Sequence, residues 1–173
     1  MQRVWKMKIN RIFDISTDDL NTCFEIIKHN MQQLGFKISE QDKIVWQQSV
    51  FKMLTNENVY FYLLKKDNIL GFVEFVNNNG NLTLCEIQLS PQAKQTFVLL
   101  DALLYFEACE EFMKFDKVEF SILKNNSMSN KTFTHLGGKL TSQTEKKNLY
   151  ILTRKQLEEY LNKFKPRRNN KSK

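Results

Sequence analysis

The chain of 173 residues holds only two prolines and five glycines. That scarcity excludes a collagen-like, loop-dominated or low-complexity protein. Cysteine is sparse and odd in number. Cys23, Cys85 and Cys109 lie far apart inside apolar periodic segments, so they read as reduced core thiols and not as a disulfide framework or zinc site. His29 and His135 have no Cys or carboxylate at ligand spacing, and surface histidine is the expected reading. No apolar run reaches the roughly 20 residues that a bilayer requires, and the first residues carry no apolar leader core. The expectation is a cytoplasmic chain with no membrane association.

What the chain has is bulk. Fourteen Phe, five Tyr and two Trp accompany a hydrophobic content of 42%, enough for one sizeable core in a single domain. The net charge of +7 is not spread evenly. Residues 163–173 contribute Lys163, Lys165, Arg167, Arg168, Lys171 and Lys173 with no acid, while residues 1–162 hold 20 Lys and Arg against 19 Asp and Glu. The expected organisation is one domain over 1–162 and a basic, disordered tail over 163–173. Such a tail reads first as a solubilising terminus, and its charge alone would give weak nucleic-acid contact through phosphates.

The order of elements follows from the apolar periods. Lys8–Ile15 suits a first strand, with Ile12 out of phase. Ser16 then caps a helix with Asp18 and Asp19 in its first turn. Leu20, Cys23, Phe24, Ile27, Met31 and Leu34 form its stripe, and Gly35 stands where a C-cap belongs. Ser39 with Asp42 opens a second helix that ends near Asn56. Three strands follow as an antiparallel meander, Val59–Lys65, Ile69–Val76 and Leu82–Leu89, joined by Lys66-Asp67-Asn68 and by an Asn-rich turn ending in Gly80.

At Ser90-Pro91 the apolar period changes from two to about 3.6, which predicts one long helix over Pro91–Phe112. Val118, Phe120 and Ile122 mark another strand. A short helix over Asn125–Leu136 is stopped by Gly137-Gly138, and a hairpin of Lys139–Gln143 with Asn148–Leu152 closes the series. A Thr153/Gln156 capping box begins a last helix. In the strand Leu82–Leu89 the apolar positions shift phase near Cys85-Glu86. Either one extra residue makes a β-bulge there, or the strand is central and buried on both faces.

Three short segments carry a resemblance. Asn68-Ile69-Leu70-Gly71-Phe72 reads as a polar turn, apolar residues and Gly. Leu89-Ser90-Pro91 ends a strand. Asn126, Ser129, Phe133 and Leu136-Gly137 follow the fifth strand. Together with the element order over roughly residues 8–152, they resemble the GCN5-related N-acetyltransferase (GNAT) superfamily. The resemblance implies an α/β (α+β type) fold, a mixed and mostly antiparallel sheet of six to seven strands flanked by helices. It also implies a fourth strand that splays from the fifth to admit the pantetheine arm of acetyl-CoA.

By the same resemblance, cofactor contacts fall on the Leu89 backbone, on Lys94, Gln95, Thr96, Phe97, Val98 and Leu99, and on Asn126 and Phe133. The window Lys94–Leu99 corresponds to the family's pyrophosphate segment, whose glycines let backbone amides close on the phosphates. Here Phe97 and Leu99 replace both small residues. Phe133 stands where the family often has a proton-donating Tyr, leaving Tyr150 or a water for that role. Glu86 is the candidate general base, with Glu74 next, each weighed against an ordinary outward-facing strand residue. The expected activity is acetyl transfer from acetyl-CoA to a small-molecule or protein amine by direct attack, in a monomer or homodimer. The alternative is a catalytically inactive domain of the same fold that binds a protein or nucleic acid.

Overall fold

The computed structural model describes residues 7–94 and 97–164. Gln95, Thr96 and all of the basic tail beyond Phe164 lie outside the described residues. The elements run β1 (Lys8–Arg11), α1 (Thr17–Gln33), α2 (Glu40–Leu54), β2 (Val59–Lys65), β3 (Ile69–Asn78) and β4 (Asn81–Leu89). They continue with α3 (Pro91–Lys94), α4 (Val98–Ala108), α5 (Glu110–Met113), β5 (Lys117–Leu123), α6 (Ser127–His135), β6 (Lys139–Gln143), β7 (Lys147–Thr153) and α7 (Arg154–Leu161).

The caps expected from the sequence form. Ser16 Oγ accepts from the Asp19 amide at 3.1 Å, and Gly35 takes a φ of +86° just past α1, a conformation that glycine adopts without strain. Ser39 with Asp42 and Thr153 with Gln156 both complete reciprocal capping boxes. Ser90 Oγ accepts from Ala93 N at 3.2 Å and starts α3.

Two expectations are corrected. The first strand stops at Arg11 and not at Ile15, although Ile12 N still donates to Phe61 O at 2.8 Å. Ile15 is buried in the approach to α1 instead. The single long helix after Pro91 is not continuous. Phe97 sits in a turn with φ −87° and ψ 15°, and Cys109 is extended with ψ 121°, so α3, α4 and α5 are separate helices. The apolar period survived these breaks because α4 and α5 bury the same side against the sheet.

All seven strands join one sheet in the order β1-β2-β3-β4-β5-β7-β6, and β4–β5 is its one parallel pair among the described residues. The sheet separates two layers. On one face Phe61, Leu63 and Phe72 pack with Leu20, Cys23, Phe24 and Val50 of α1 and α2. On the other, Tyr62, Val73, Phe75 and Leu82 pack with Ala102 and Phe106 of α4 and Phe112 of α5. Phe120, Phe133, Tyr150 and Leu152 extend that second core beneath α6. Of the three thiols only Cys23 is fully buried. Cys85 is exposed, and all three are free.

Candidate functional site

Of the two readings of the phase change in β4, the pairing with β3 shows the β-bulge. Phe75 pairs with Leu84 and Glu74 pairs with Glu86, so Cys85 is the extra residue. This bulge aims two carboxylates at each other. Phe72 belongs to the core under α1 and α2, and on a strand Glu74, two residues on, shares its face. Glu86, directly opposite, shares it as well. Both acids therefore look toward α1 and α2.

Glu74 is 6% exposed, so the ordinary outward-facing reading of this residue is corrected. Burial and the charge of Glu86 push its carboxyl up to about 7. Glu86 is half-buried. Burial raises its pKa too, opposed by hydrogen bonds from the Gln88 amide, at 3.0 Å, and from the Trp46 indole. Partial burial and the charges of Glu74 and Glu86 push the Cys85 thiol up to about 11. A thiol so raised is almost wholly protonated at neutral pH and is a poor nucleophile.

On the far side of the bulge, β4 leaves its parallel neighbour. Leu82, Thr83 and Leu84 pair with Val118, Glu119 and Phe120, and among the described residues that pairing ends there. Yet β4 stays paired to β3 as far as Leu89, and β5 to β7 as far as Leu123. The two strands thus form a fork whose inner edges carry main-chain groups from Cys85 to Leu89 and from Ser121 to Leu123. Extended polar chains with amide groups fit such an edge, because it offers the donors and acceptors a sheet neighbour would use.

One side chain ties the upper arm of this fork to the helices. Asn30 of α1 donates to Gln88 Oε1 at 2.7 Å and to Leu89 O at 3.1 Å, and its own oxygen accepts from Lys94 Nζ at 2.6 Å. α1, the end of β4 and α3 are thereby locked together. Gly71 supports the same arm from behind. It pairs with Leu89, and a Cβ there would stand 2.2 Å from Gln88 O.

The other sequence candidates are placed as follows. Lys94 lies at the end of α3, where desolvation lowers its pKa. Gln95 and Thr96 are outside the described residues. Phe97 is the N-cap of α4 and 48% exposed. Val98 is buried, and Leu99 is half-buried on the sheet side of α4. Asn126 caps α6, its side chain accepting from Ser129 N at 3.1 Å. Phe133 is buried, 4.7 Å between ring centroids from Phe120. Tyr150 is buried as well and donates its hydroxyl to Asn130 Oδ1 at 2.8 Å, so that proton is engaged within the fold.

Asn30, Trp46, Gln88 and Asn130 escaped the sequence reading. Gln88 carried a usable signal, since it lies two residues from Glu86 on the same strand face. Asn30 had none beyond its place beside the apolar stripe of α1. Among the described residues no group of three His, Cys, Asp or Glu could hold a metal, and no helix is long and apolar enough to cross a membrane.

No protein-family model matches the chain, and no curated protein matches it either. Solved structures do. A PaiA N-acetyltransferase from Thermoplasma acidophilum in complex with coenzyme A aligns with a TM-score of 0.69 at 16% identity, over 85% of this chain and 99% of that one. The apo form of FdhC, a nucleotide-linked sugar GNAT, aligns with a TM-score of 0.66 at 17% identity, over 91% and 92%. The N-acetyltransferase PseH of Campylobacter jejuni in complex with acetyl coenzyme A gives 0.60 at 13%, over 85% and 98%. The chain has the GNAT fold, with near end-to-end coverage of these proteins.

Proposed function

We propose that the chain is an N-acetyltransferase that moves an acetyl group from acetyl-CoA to a primary amine. The observation that carries this reading is the fork between β4 and β5, opening beside a half-buried carboxylate on the bulged strand. Support comes also from the fold, shared with acetyltransferases solved with coenzyme A or acetyl coenzyme A.

When bound, acetyl-CoA would supply an activated thioester carbonyl. The chain's own residues do the rest. The inner edges of β4 and β5 hold the pantetheine arm through main-chain groups, and the Leu89 carbonyl, fixed by Asn30, is one of them. By the resemblance, Lys94 and the amides at the head of α4 would meet the pyrophosphate, and Asn126 would contact the cofactor from the end of β5. Glu86 takes the proton from the incoming ammonium, directly or through one water, because a carboxylate with a raised pKa is matched to that work. Glu74 keeps a second negative charge or a shared proton at the same place and favours a cationic acceptor. The amine nitrogen then attacks the carbonyl carbon, the C–S bond breaks with its electron pair on sulfur, and the second proton shed by the nitrogen passes to the released thiolate. A thiolate is stable enough as a leaving group to depart without an acid, which fits Phe133 in place of a proton donor. The thiol of Cys85, at about 11, supports direct attack over an acyl-cysteine intermediate.

The test is thermal denaturation of the full chain with millimolar acetyl-CoA. At 100 times its Kd a ligand stabilises a fold by about 2.7 kcal/mol, which for this size raises Tm by about 5–10 °C. An unchanged Tm would overturn the reading. The acceptor follows from release of free thiol across a panel of amines.

A further inference from the structure

Beside the crotch of the fork, on the face away from Glu74 and Glu86, lies a cavity of about 80 Å³. Leu84 and Ile87 of β4, Phe120 of β5, Leu99 and Leu103 of α4 and Phe133 of α6 line the end next to the fork. Leu84 and Phe120 form the last rung of the parallel pairing, so this end begins where the strands part. The far end is closed by Arg154. Its guanidinium donates to the carbonyls of Glu107 at 3.2 Å, Phe115 at 3.3 Å and Phe112. Among the described residues no polar side chain lines the end beside the fork.

An apolar void of this kind stays dry and accepts hydrocarbon. The amides of a pantetheine arm would find no partners in it, and burying them there would be unfavourable. The group that reaches the crotch with no polar atoms is the tail of the acyl chain itself. We infer that the cavity is an acyl pocket, and that the donor this chain favours is an acyl-CoA longer than acetyl. The inference rests on the acyl-transfer reading above and deepens it. The step is unchanged: the amine N–C bond forms, C–S breaks with its pair on sulfur, and the ammonium proton goes to Glu86.

The cavity sets the length. An engineered void of about 150 Å³ takes up benzene, with six carbons. Scaled linearly, the present one takes about three carbons beyond the acetyl methyl, so pentanoyl fills it. Each methylene transferred to an apolar site tightens binding about four-fold.

The experiment is calorimetric titration of the full chain with CoA and with acetyl-, propionyl-, butyryl-, pentanoyl- and octanoyl-CoA. The expected result is a Kd that falls about four-fold per carbon to pentanoyl, on the order of 60-fold in all, and rises again at octanoyl. Equal affinity for CoA and every acyl-CoA would overturn the acyl pocket while leaving the acetyl-transfer reading standing. Binding of none of them would remove both. Leu103→Phe, which adds a ring to the cavity wall, is expected to flatten the series. A folded variant with the wild-type series would place the acyl chain elsewhere and overturn the assignment.

Discussion

Glu74 and Glu86 stand directly opposite each other on adjacent antiparallel strands because of one inserted residue, Cys85. Without it the pairing of Phe75 with Leu84 would continue to Glu74 against Cys85. The bulge rotates the strand by one position, and a cysteine that would have faced Glu74 is replaced by a second acid. Two carboxylates so placed cannot both ionise freely in a partly buried setting. One inserted residue thus sets a second acid opposite Glu74, two residues beyond the last rung that β4 shares with β5.

Replacing that acceptor tests its role. Glu86→Gln preserves shape and a hydrogen-bonding oxygen for Gln88 and Trp46 but removes the base. We expect kcat with the preferred amine to fall about 10²–10⁴-fold at neutral pH. The gap should narrow as pH rises through the pKa of the amine, since the acceptor then arrives deprotonated. A fall of less than about ten-fold at pH 7 would show that the proton leaves by another route.

Glu74 makes stability depend on pH in the sense opposite to an ion-paired acid. Its carboxyl sits near 7 in the folded chain against 4.5 for the ordinary group. Between those values the folded chain binds more protons than the unfolded one. Stability is thus full below about 4.5 with respect to this group and declines as pH rises to about 7. The loss is at most about 3 kcal/mol. Glu74→Gln should flatten the dependence, so urea midpoints at pH 5 and pH 8 should converge in the variant. A wild-type midpoint that rises over this interval, with Glu74→Gln unable to alter the slope, would show that Glu74 does not titrate there.

Gly71 is required by proximity, not by backbone conformation. A methyl at this position would meet Gln88 O at 2.2 Å and Leu89 Cδ2 at 3.0 Å. β4 cannot draw back easily, because Asn30 holds both Gln88 and Leu89 from the other side. Gly71→Ala should destabilise the fold by about 2 kcal/mol or more, seen as a lower urea midpoint, and should weaken acetyl-CoA binding through the displaced upper arm of the fork. A midpoint within error of wild type would mean that the strands separate there without strain.

The capping residues and the meander could be read in the sequence because each depends on near neighbours, and Ser39 with Asp42 caps a helix in any context. The phase change of apolar residues in β4 left a bulge or a doubly buried strand open, and the pairing with β3 decides for the bulge. The breaks at Phe97 and Cys109 could not be read, because α3, α4 and α5 all turn apolar residues to one core and so keep the helical period across both interruptions. The rank of the two acids was also hidden. Glu74 and Glu86 look alike in a strand pattern, and only the folded chain shows that Glu74 is buried and Glu86 half-buried. Asn30 reaches β4 across 58 residues of chain, a contact that no local pattern encodes.

Phe97 provides the test of how this chain accommodates phosphate. Where the resemblance would have a small residue, Phe97 stands at the head of α4 with nearly half its surface exposed. A ring there screens the approach of an anion to the first turn, the place where helix amides and the macrodipole favour negative charge. Glycine is an acceptable N-cap, so Phe97→Gly should leave Tm within about 2 °C of wild type. The Michaelis constant for acetyl-CoA should then drop, by about three- to ten-fold, equivalent to roughly 0.7–1.4 kcal/mol of uniform binding, while kcat holds. Uniform binding changes KM alone because ground state and transition state gain equally. An unchanged KM would mean that the pyrophosphate is held away from this turn, with Lys94 as the nearer cation.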